Sequence, residues 1–133
     1  MKRISNPKIN NEKMLIKGFY KIQKIRSHDS RISASIRLNP DHEVYKGHFP
    51  GQPVVPGVIQ LQIVKEILEE SLGQELHMGK VSSAKYLKII TPEKSGKLQI
   101  TIDYQKTDED AYKVNAIIGS GETIFTKVKM ILK

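Results

Sequence analysis

The sequence predicts an α+β domain in which one long helix covers a face of an antiparallel sheet. Two observations indicate it. The stretch 58–72 has the apolar periodicity of a helix, and segments on both sides of it alternate polar and apolar residues as strands do. Short polar turns join those segments, and the helix follows the second of them, which is typical of an α+β arrangement.

Composition agrees with a single globular domain, 1–133, with a loose lead-in at 1–12. Of the 133 residues, 38% are hydrophobic and 27% are charged. There is no cysteine, which excludes disulfides and thiolate metal sites, and the four histidines are scattered. Neither a secretory signal nor an apolar run of membrane-spanning length is visible, so we expect a cytoplasmic protein.

The charge of the chain favours an anionic partner. The formal net charge is +8, but the lysines and arginines are spread along the sequence and aromatic residues make up only 6%. A nucleic-acid site would need clustered cations and more aromatic residues for stacking. We therefore expect neither nucleic acid nor a membrane as the partner.

Before the helix, the pattern predicts a hairpin and a shaped loop. The strands are expected at 14–24 and 31–38, with turn residues at 27–30 between them. The segment 45–58 is so rich in glycine and proline that we expect no regular helix or strand within it.

The helix 58–72 is expected to end at Gly73, a residue type favoured just past a helix C-terminus. Its apolar arc is interrupted only by Gln60. The polar residues share the opposite side, which predicts a solvated face made of Gln62, Lys65, Glu66, Glu69 and Glu70.

After the helix, a connection at 73–80 leads into four further strands. They are expected at 81–90, 98–104, 112–118 and 124–132, with turns at 107–110 and 119–121.

The loop and the start of the helix resemble the β-hydroxyacyl-acyl carrier protein dehydratases, which have the hotdog fold. The matching residues, in order and spacing, are Gly47, His48, Phe49, Pro50, Gly51, Pro53, Pro56, Gly57 and Val58. The resemblance implies an antiparallel sheet wrapped around one long central helix and a homodimer or higher homo-oligomer. It also implies an acyl thioester presented by acyl carrier protein on phosphopantetheine, and no cofactor. Such carriers are acidic, so a basic rim that includes Lys46, Lys85 and Lys88 would attract them.

The resemblance also assigns roles to residues. Dehydration needs a base at C2, an acid for the departing hydroxyl, and donors for the thioester carbonyl. His48 is the expected base, because imidazole titrates near neutral pH. Gly57 would offer its backbone N–H at the first turn of the helix, with Phe49, Pro56 and Val58 beside the substrate.

One position departs from the family. Members carry a catalytic Glu four residues after the valine and often a Gln four residues later, whereas this chain has Gln62 and then Glu66. A primary amide has no proton to transfer near pH 7. Glu66 lies one helical turn away from Gln62, so it could donate the proton instead or position His48 through Gln62; a solvated Glu66 is the alternative.

Two other functions stay open at this point. One is a hotdog acyl-thioesterase, and the other is a catalytically weak subunit that binds acyl groups or the carrier and partners an active homologue. A set of apolar side chains could line an acyl tunnel or simply pack in the core: Phe49, Val54, Val55, Val58, Leu61 and Tyr86.

Overall fold

A computed structural model describes residues 17–47, 51–94 and 96–133. The expected lead-in, the first three residues of the expected strand 14–24, and the motif residues His48, Phe49 and Pro50 lie outside these ranges. The described elements are β1 (Tyr20–His28), β2 (Arg31–Leu38), α1 (Val44–Gly47), α2 (Gly57–Leu72), β3 (Met78–Tyr86), β4 (Lys97–Lys106), β5 (Tyr112–Ser120) and β6 (Thr123–Leu132).

The six strands form one antiparallel sheet in the order β1-β2-β4-β5-β6-β3. Strand β3 pairs with β6 and forms one edge of the sheet, and β1 forms the other edge. Helix α2 packs on one face of the sheet, where it contacts β1, β2 and β4. The α+β arrangement is therefore confirmed.

The core lies between α2 and the sheet. Every second residue of β2, from Ile32 to Leu38, is buried, and the intervening residues are not. From the helix, four apolar side chains fill the same layer: Ile63, Val64, Ile67 and Leu68. The alternation seen in the sequence thus identifies the inner face of the sheet correctly.

Helix α2 is confirmed and starts one residue earlier than predicted. It runs from Gly57 to Leu72, and the C-cap residue Gly73 adopts a left-handed conformation with φ of 69°. The N–H of Gly73 donates to the carbonyl of Glu69 at 2.8 Å, closing the last turn. No helix in the described part of the chain is long and apolar enough to cross a membrane.

The loop before α2 contains a turn of helix that was not predicted. Helix α1 takes in Tyr45, Lys46 and Gly47, which the prediction assigned to irregular structure. The buried ring of Tyr45 packs against Phe19 with centroids 5.4 Å apart. Because no proline occurs between positions 40 and 50, this tertiary contact can hold one helical turn there.

The hairpin turns are tighter than predicted. Strand β1 continues through Ser27 and His28, and only Asp29 and Ser30 form the turn. Asp29 has φ of 56°, a conformation that allows a two-residue connection. In the same way β5 continues through Gly119 and Ser120, so the predicted turn at 119–121 is displaced to 121–122.

Strand β3 is shifted towards the N-terminus relative to the prediction. It starts at Met78, which pairs with Leu132 of β6, and not at position 81. It ends at Tyr86, where the regular pairing with β6 stops. The carbonyl of Ile90 accepts a hydrogen bond from the N–H of Val55 at 2.8 Å, which joins this segment to the loop before α2.

Candidate functional site

The N-terminal end of α2 has backbone donors that the helix itself does not use. Its N-cap is Pro56, which brings no capping hydrogen bond. The N–H groups of Ile59 and Gln60 both donate to the carbonyl of Pro56 at 3.1 Å. The N–H groups of Gly57 and Val58 come before these and have no acceptor within the helix. Together with the helix dipole, they can bind an oxygen that carries negative charge.

A side chain at position 57 would contact a neighbouring ring, whereas the backbone angle of Gly57 imposes no need for glycine. A Cβ on Gly57 would lie 2.7 Å from both Cζ and the hydroxyl oxygen of Tyr86, and its φ is not positive. Tyr86 is the last residue of β3, and 47% of its surface is exposed. Its phenol thus lies directly beside the free donors of the helix.

A buried glutamine fixes the loop that leads into the helix. Gln60 is 3% exposed; its Nε2 donates to the carbonyl of Val55 at 3.1 Å, and its Oε1 accepts from the hydroxyl of Thr126 at 2.5 Å. Thr126 belongs to β6, so the first turn of α2, the loop and the sheet are joined. The single polar interruption of the apolar arc is therefore a structural hydrogen-bonding residue.

Glu66 is buried, so the predicted solvated polar face is wrong at this position. It is 4% exposed and is the one charged side chain that is buried among the residues described. Its Oε1 accepts from the Tyr20 hydroxyl at 2.8 Å, and its Oε2 accepts from Nε2 of Gln62 at 2.9 Å. Burial of a carboxylate costs several kcal/mol unless hydrogen bonds replace its water, and these two donors do so.

Tyr20 is a fixed donor in this network. It is the first residue of β1 and is 3% exposed. Burial, and then the adjacent carboxylate of Glu66, raise the pKa of Tyr20 well above its ordinary value. The phenol therefore keeps its proton throughout the physiological range, and the carboxylate of Glu66 keeps its donor.

The structure brings two of the predicted site residues into contact. Gln62 and Glu66 are hydrogen-bonded on α2, as their spacing suggested. Gly57 lies at the start of the same helix. Because His48 and Phe49 lie outside the described residues, their roles stay predictions, as do those of Gln62 and Glu66 in chemistry.

The apolar residues proposed for a tunnel separate into different environments. Val55 is buried in the core, whereas Val58 is 74% exposed and Tyr86 is half exposed. Val54, Pro56 and Leu61 are partly buried. Val58 and Tyr86 belong to an exposed apolar surface at the end of α2, which also includes Leu87 and Ile89.

A separate cleft lies elsewhere. It has a volume of about 680 Å³ on the solvent-facing side of the sheet, with Lys24, Arg26 and Arg31 among its lining residues from β1 and β2. The Arg31 guanidinium is bound to Asp103 at 2.7 Å, and this bond lowers the pKa of that carboxyl. None of the predicted site residues within the described ranges lines this cleft.

Sequence reasoning missed three residues of the site. They are Tyr20, Gln60 and Thr126, whose hydrogen bonds hold Glu66 and the loop. The sequence contains a signal for Gln60, because a polar residue within an apolar arc needs a buried partner. It contains none for Tyr20, since a tyrosine at the start of a strand is ordinary.

The sequence of the chain matches a protein-family model and several known proteins. A family model described as ApeI-like, ApeI dehydratase, matches residues 24–124. The 3-hydroxyacyl-acyl-carrier-protein dehydratase FabZ of Ligilactobacillus salivarius is 30% identical over 93 residues, covering 65% of this chain and 60% of that protein. FabZ of Lactobacillus helveticus is 30% identical over 83 residues, covering 57% and 56%. The matched region thus spans less than two thirds of these two relatives.

Solved structures show the same fold. The dehydratase heterocomplex ApeI:P from Xenorhabdus doucetiae aligns with a TM-score of 0.67 at 18% identity, covering 84% of this chain and 95% of that one. A thioesterase from Haemophilus influenzae aligns with a TM-score of 0.62 at 16% identity, covering 91% and 82%. The predicted hotdog fold is confirmed.

The contact between Gly57 and Tyr86 can be tested by a double-mutant cycle in urea unfolding. Gly57→Ala should destabilise the protein by about 1 kcal/mol, because the added methyl group displaces the Tyr86 ring. With Tyr86→Ala already present, the same change should be neutral or stabilising by up to about 1 kcal/mol, since alanine favours the helix. Additive effects would show that Tyr86 does not pack on Gly57.

Proposed function

The chain belongs to the ApeI-like dehydratase family, and from this premise we propose that it removes water from 3-hydroxyacyl thioesters carried by an acyl carrier protein, in fatty acid or a related specialised acyl synthesis. The observation that carries the proposal is the Gly-His-Phe-Pro-Gly loop, which leads into a helix whose first N–H groups are uncapped. The relatives named FabZ support the substrate class, because their names state it.

The N-terminus of α2 would bind the thioester carbonyl. The N–H groups of Gly57 and Val58 would donate to the carbonyl oxygen as the C2 proton leaves and enolate charge builds on that oxygen. Donors of this kind are preorganised because Gln60 and Val55 hold the loop before the helix. Removal of one such donor typically costs about 10²–10³-fold in rate.

His48 would handle both protons of the reaction, because Gln62 cannot act as an acid. The imidazole takes the proton from C2, the C2–C3 double bond forms, and the C3–O bond breaks. The imidazolium then returns the proton to the departing hydroxide, which leaves as water. One imidazole thus serves both proton transfers. The reaction rate then lacks the roughly 10²–10⁴-fold that a separate general acid typically contributes.

The exposed apolar surface beside the N-terminus of α2 is suited to binding a second subunit. Strand β3 is an edge of the sheet, and unpaired strand edges are normally covered. Beside it lie four exposed apolar side chains, Val58, Tyr86, Leu87 and Ile89. We propose that a second copy of the chain covers this edge and apolar surface, next to the donors of α2, as in the dimer that the resemblance implies.

A basic patch beside this surface suits an acidic carrier protein. Lys85 of β3 and Lys127 of β6 are paired neighbours, and both are exposed. Lys88, also exposed, follows immediately after the end of β3. We propose that these lysines attract the carrier while its phosphopantetheine arm reaches the end of α2.

A second candidate function is favoured by Gln62. A subunit without the catalytic carboxyl could bind the acyl group while a homologous partner supplies the acid. The similar ApeI:P structure is described as a dehydratase heterocomplex, and it supports this alternative. A thioesterase is less favoured, because the family model that matches residues 24–124 describes a dehydratase.

The proposal is tested by incubating the purified protein with 3-hydroxyacyl carrier protein and separating the products. We expect the enoyl thioester without release of free thiol, and no product with His48→Ala. Gln62→Glu should raise kcat by at least about tenfold, because the Glu66 carboxylate next to the introduced carboxyl raises its pKa and keeps it protonated. Gln105→Glu, an exposed change on β4, is the control.

Each other outcome identifies a different function. Free thiol with free acid would indicate a thioesterase. Carrier binding without product, in the native protein and in Gln62→Glu, would leave only the binding subunit.

The carrier surface is tested by reversing its charge. Lys85→Glu with Lys127→Glu should raise KM for the carrier-bound substrate roughly tenfold, since each exposed attraction of up to about 1 kcal/mol becomes a repulsion. KM for the pantetheine thioester should not change, and the difference should shrink at high salt. Arg37→Glu with Lys97→Glu, a neighbouring pair on β2 and β4, is the matched control. An equal effect from both pairs would place the carrier elsewhere.

A further inference from the structure

The amide of Gln62 has a defined orientation. Its Nε2 donates to Oε2 of Glu66 at 2.9 Å. The reversed amide would place its carbonyl oxygen against the carboxylate, two acceptors with no hydrogen between them. Oε1 of Gln62 therefore faces away from Glu66.

This orientation is held by the sheet and not by solvent. Glu66 accepts at its other oxygen from Tyr20, and both side chains are at least 95% buried. Tyr20 is anchored in β1, where it pairs with Leu38 of β2. The carboxylate cannot turn without breaking the bond to Tyr20, so it cannot release the amide of Gln62 at low cost.

We propose that Glu66 and Tyr20 are positioning residues that present Oε1 of Gln62 as an acceptor to the 3-hydroxyl group of the substrate. This rests on the proposed function. Gln62 then recognises the hydroxyl by accepting its hydrogen and does not protonate it. With Gln62 and Glu66 in transposed positions, the residue at position 62 selects the substrate and does not act as an acid.

A fixed acceptor selects acyl groups by their state at C3. A 3-hydroxyacyl group can donate to Oε1, whereas a saturated acyl group offers no partner. A 3-oxoacyl group would place a second acceptor against the first. Because an acceptor that the substrate covers and leaves without a donor costs free energy, the site should prefer the hydroxyl form over both others.

The test compares the affinities of stable substrate analogues by calorimetry. The probes are pantetheine amides of one chain length, with a 3-hydroxyacyl or a saturated acyl group, which the enzyme cannot dehydrate readily because an amide C2 proton is less acidic. The native protein should bind the 3-hydroxy amide roughly fivefold more tightly, the value of one hydrogen bond of about 1 kcal/mol. In Glu66→Gln the preference should fall to about onefold, with affinity for the saturated amide unchanged.

Two further variants separate positioning from folding. Tyr20→Phe, which keeps the ring, should reduce the preference in the same direction. Glu69→Gln is the matched control. Glu69 is on the same helix as Glu66, but its carboxylate accepts from the N–H of Leu76, beyond the helix, and does not contact Gln62. It should leave the preference intact. Thermal unfolding of each variant establishes that it is folded before binding is measured.

Several results would overturn the inference. They are equal affinity of the native protein for the two amides, no binding of either, an unchanged preference in both Glu66→Gln and Tyr20→Phe, and an equal loss for both amides. Turnover of the thioester substrate is measured separately. A native protein that prefers the hydroxyl but forms no enoyl product would contradict the proposed function while supporting this inference.

Discussion

A carboxylate buried between the helix and the sheet is the constraint on which the rest of this structure depends. A phenol from the first residue of β1 and an amide from the preceding turn of α2 both donate to the buried Glu66, and such donors offset the loss of its water. The bond from Tyr20 connects residues 46 positions apart in sequence, and the bond from Gln62 lies within the helix. They fix the rotation of α2 on the sheet, and this rotation determines where Gly57 and Gln62 lie.

The N-terminal turn of α2 is fixed by a second buried polar group, Gln60. Gln60 joins the loop to β6, and the ring of Tyr86 lies so close to Gly57 that a side chain there would displace it. The donors of the helix are thus placed by packing and hydrogen bonds from three directions. A site that must stabilise developing charge benefits from this rigidity, because its donors need not reorganise during the reaction.

The fold and the family could be predicted because their signals lie within short stretches of the sequence. Apolar periodicity and Gly73 define α2, strict alternation defines β2, and the motif around Gly57 identifies the family. The burial of Glu66 could not be predicted in this way. A helical wheel assigns a carboxylate to the solvated side by residue type, and only a distant donor such as Tyr20 reverses that assignment.

The element boundaries that were predicted wrongly are also determined by contacts between distant segments. Strand β3 ends at Tyr86, and the segment after it bonds to the loop through Ile90. Residues 44–47 form a turn of helix, with Tyr45 packed on Phe19. In each case a contact between distant segments outweighs the local pattern, and such contacts have no signature in a single sequence.

The account is tested most directly by a double-mutant cycle of unfolding free energy with Tyr20→Phe and Glu66→Met. In the native background, Tyr20→Phe leaves a buried carboxylate short of one donor and should cost about 1.5–3 kcal/mol, the range for hydrogen bonds to charged groups. In the Glu66→Met background, no carboxylate needs that donor and the same change should cost less than about 0.5 kcal/mol. Equal costs in the two backgrounds would contradict the account, because Tyr20 would then not be holding Glu66.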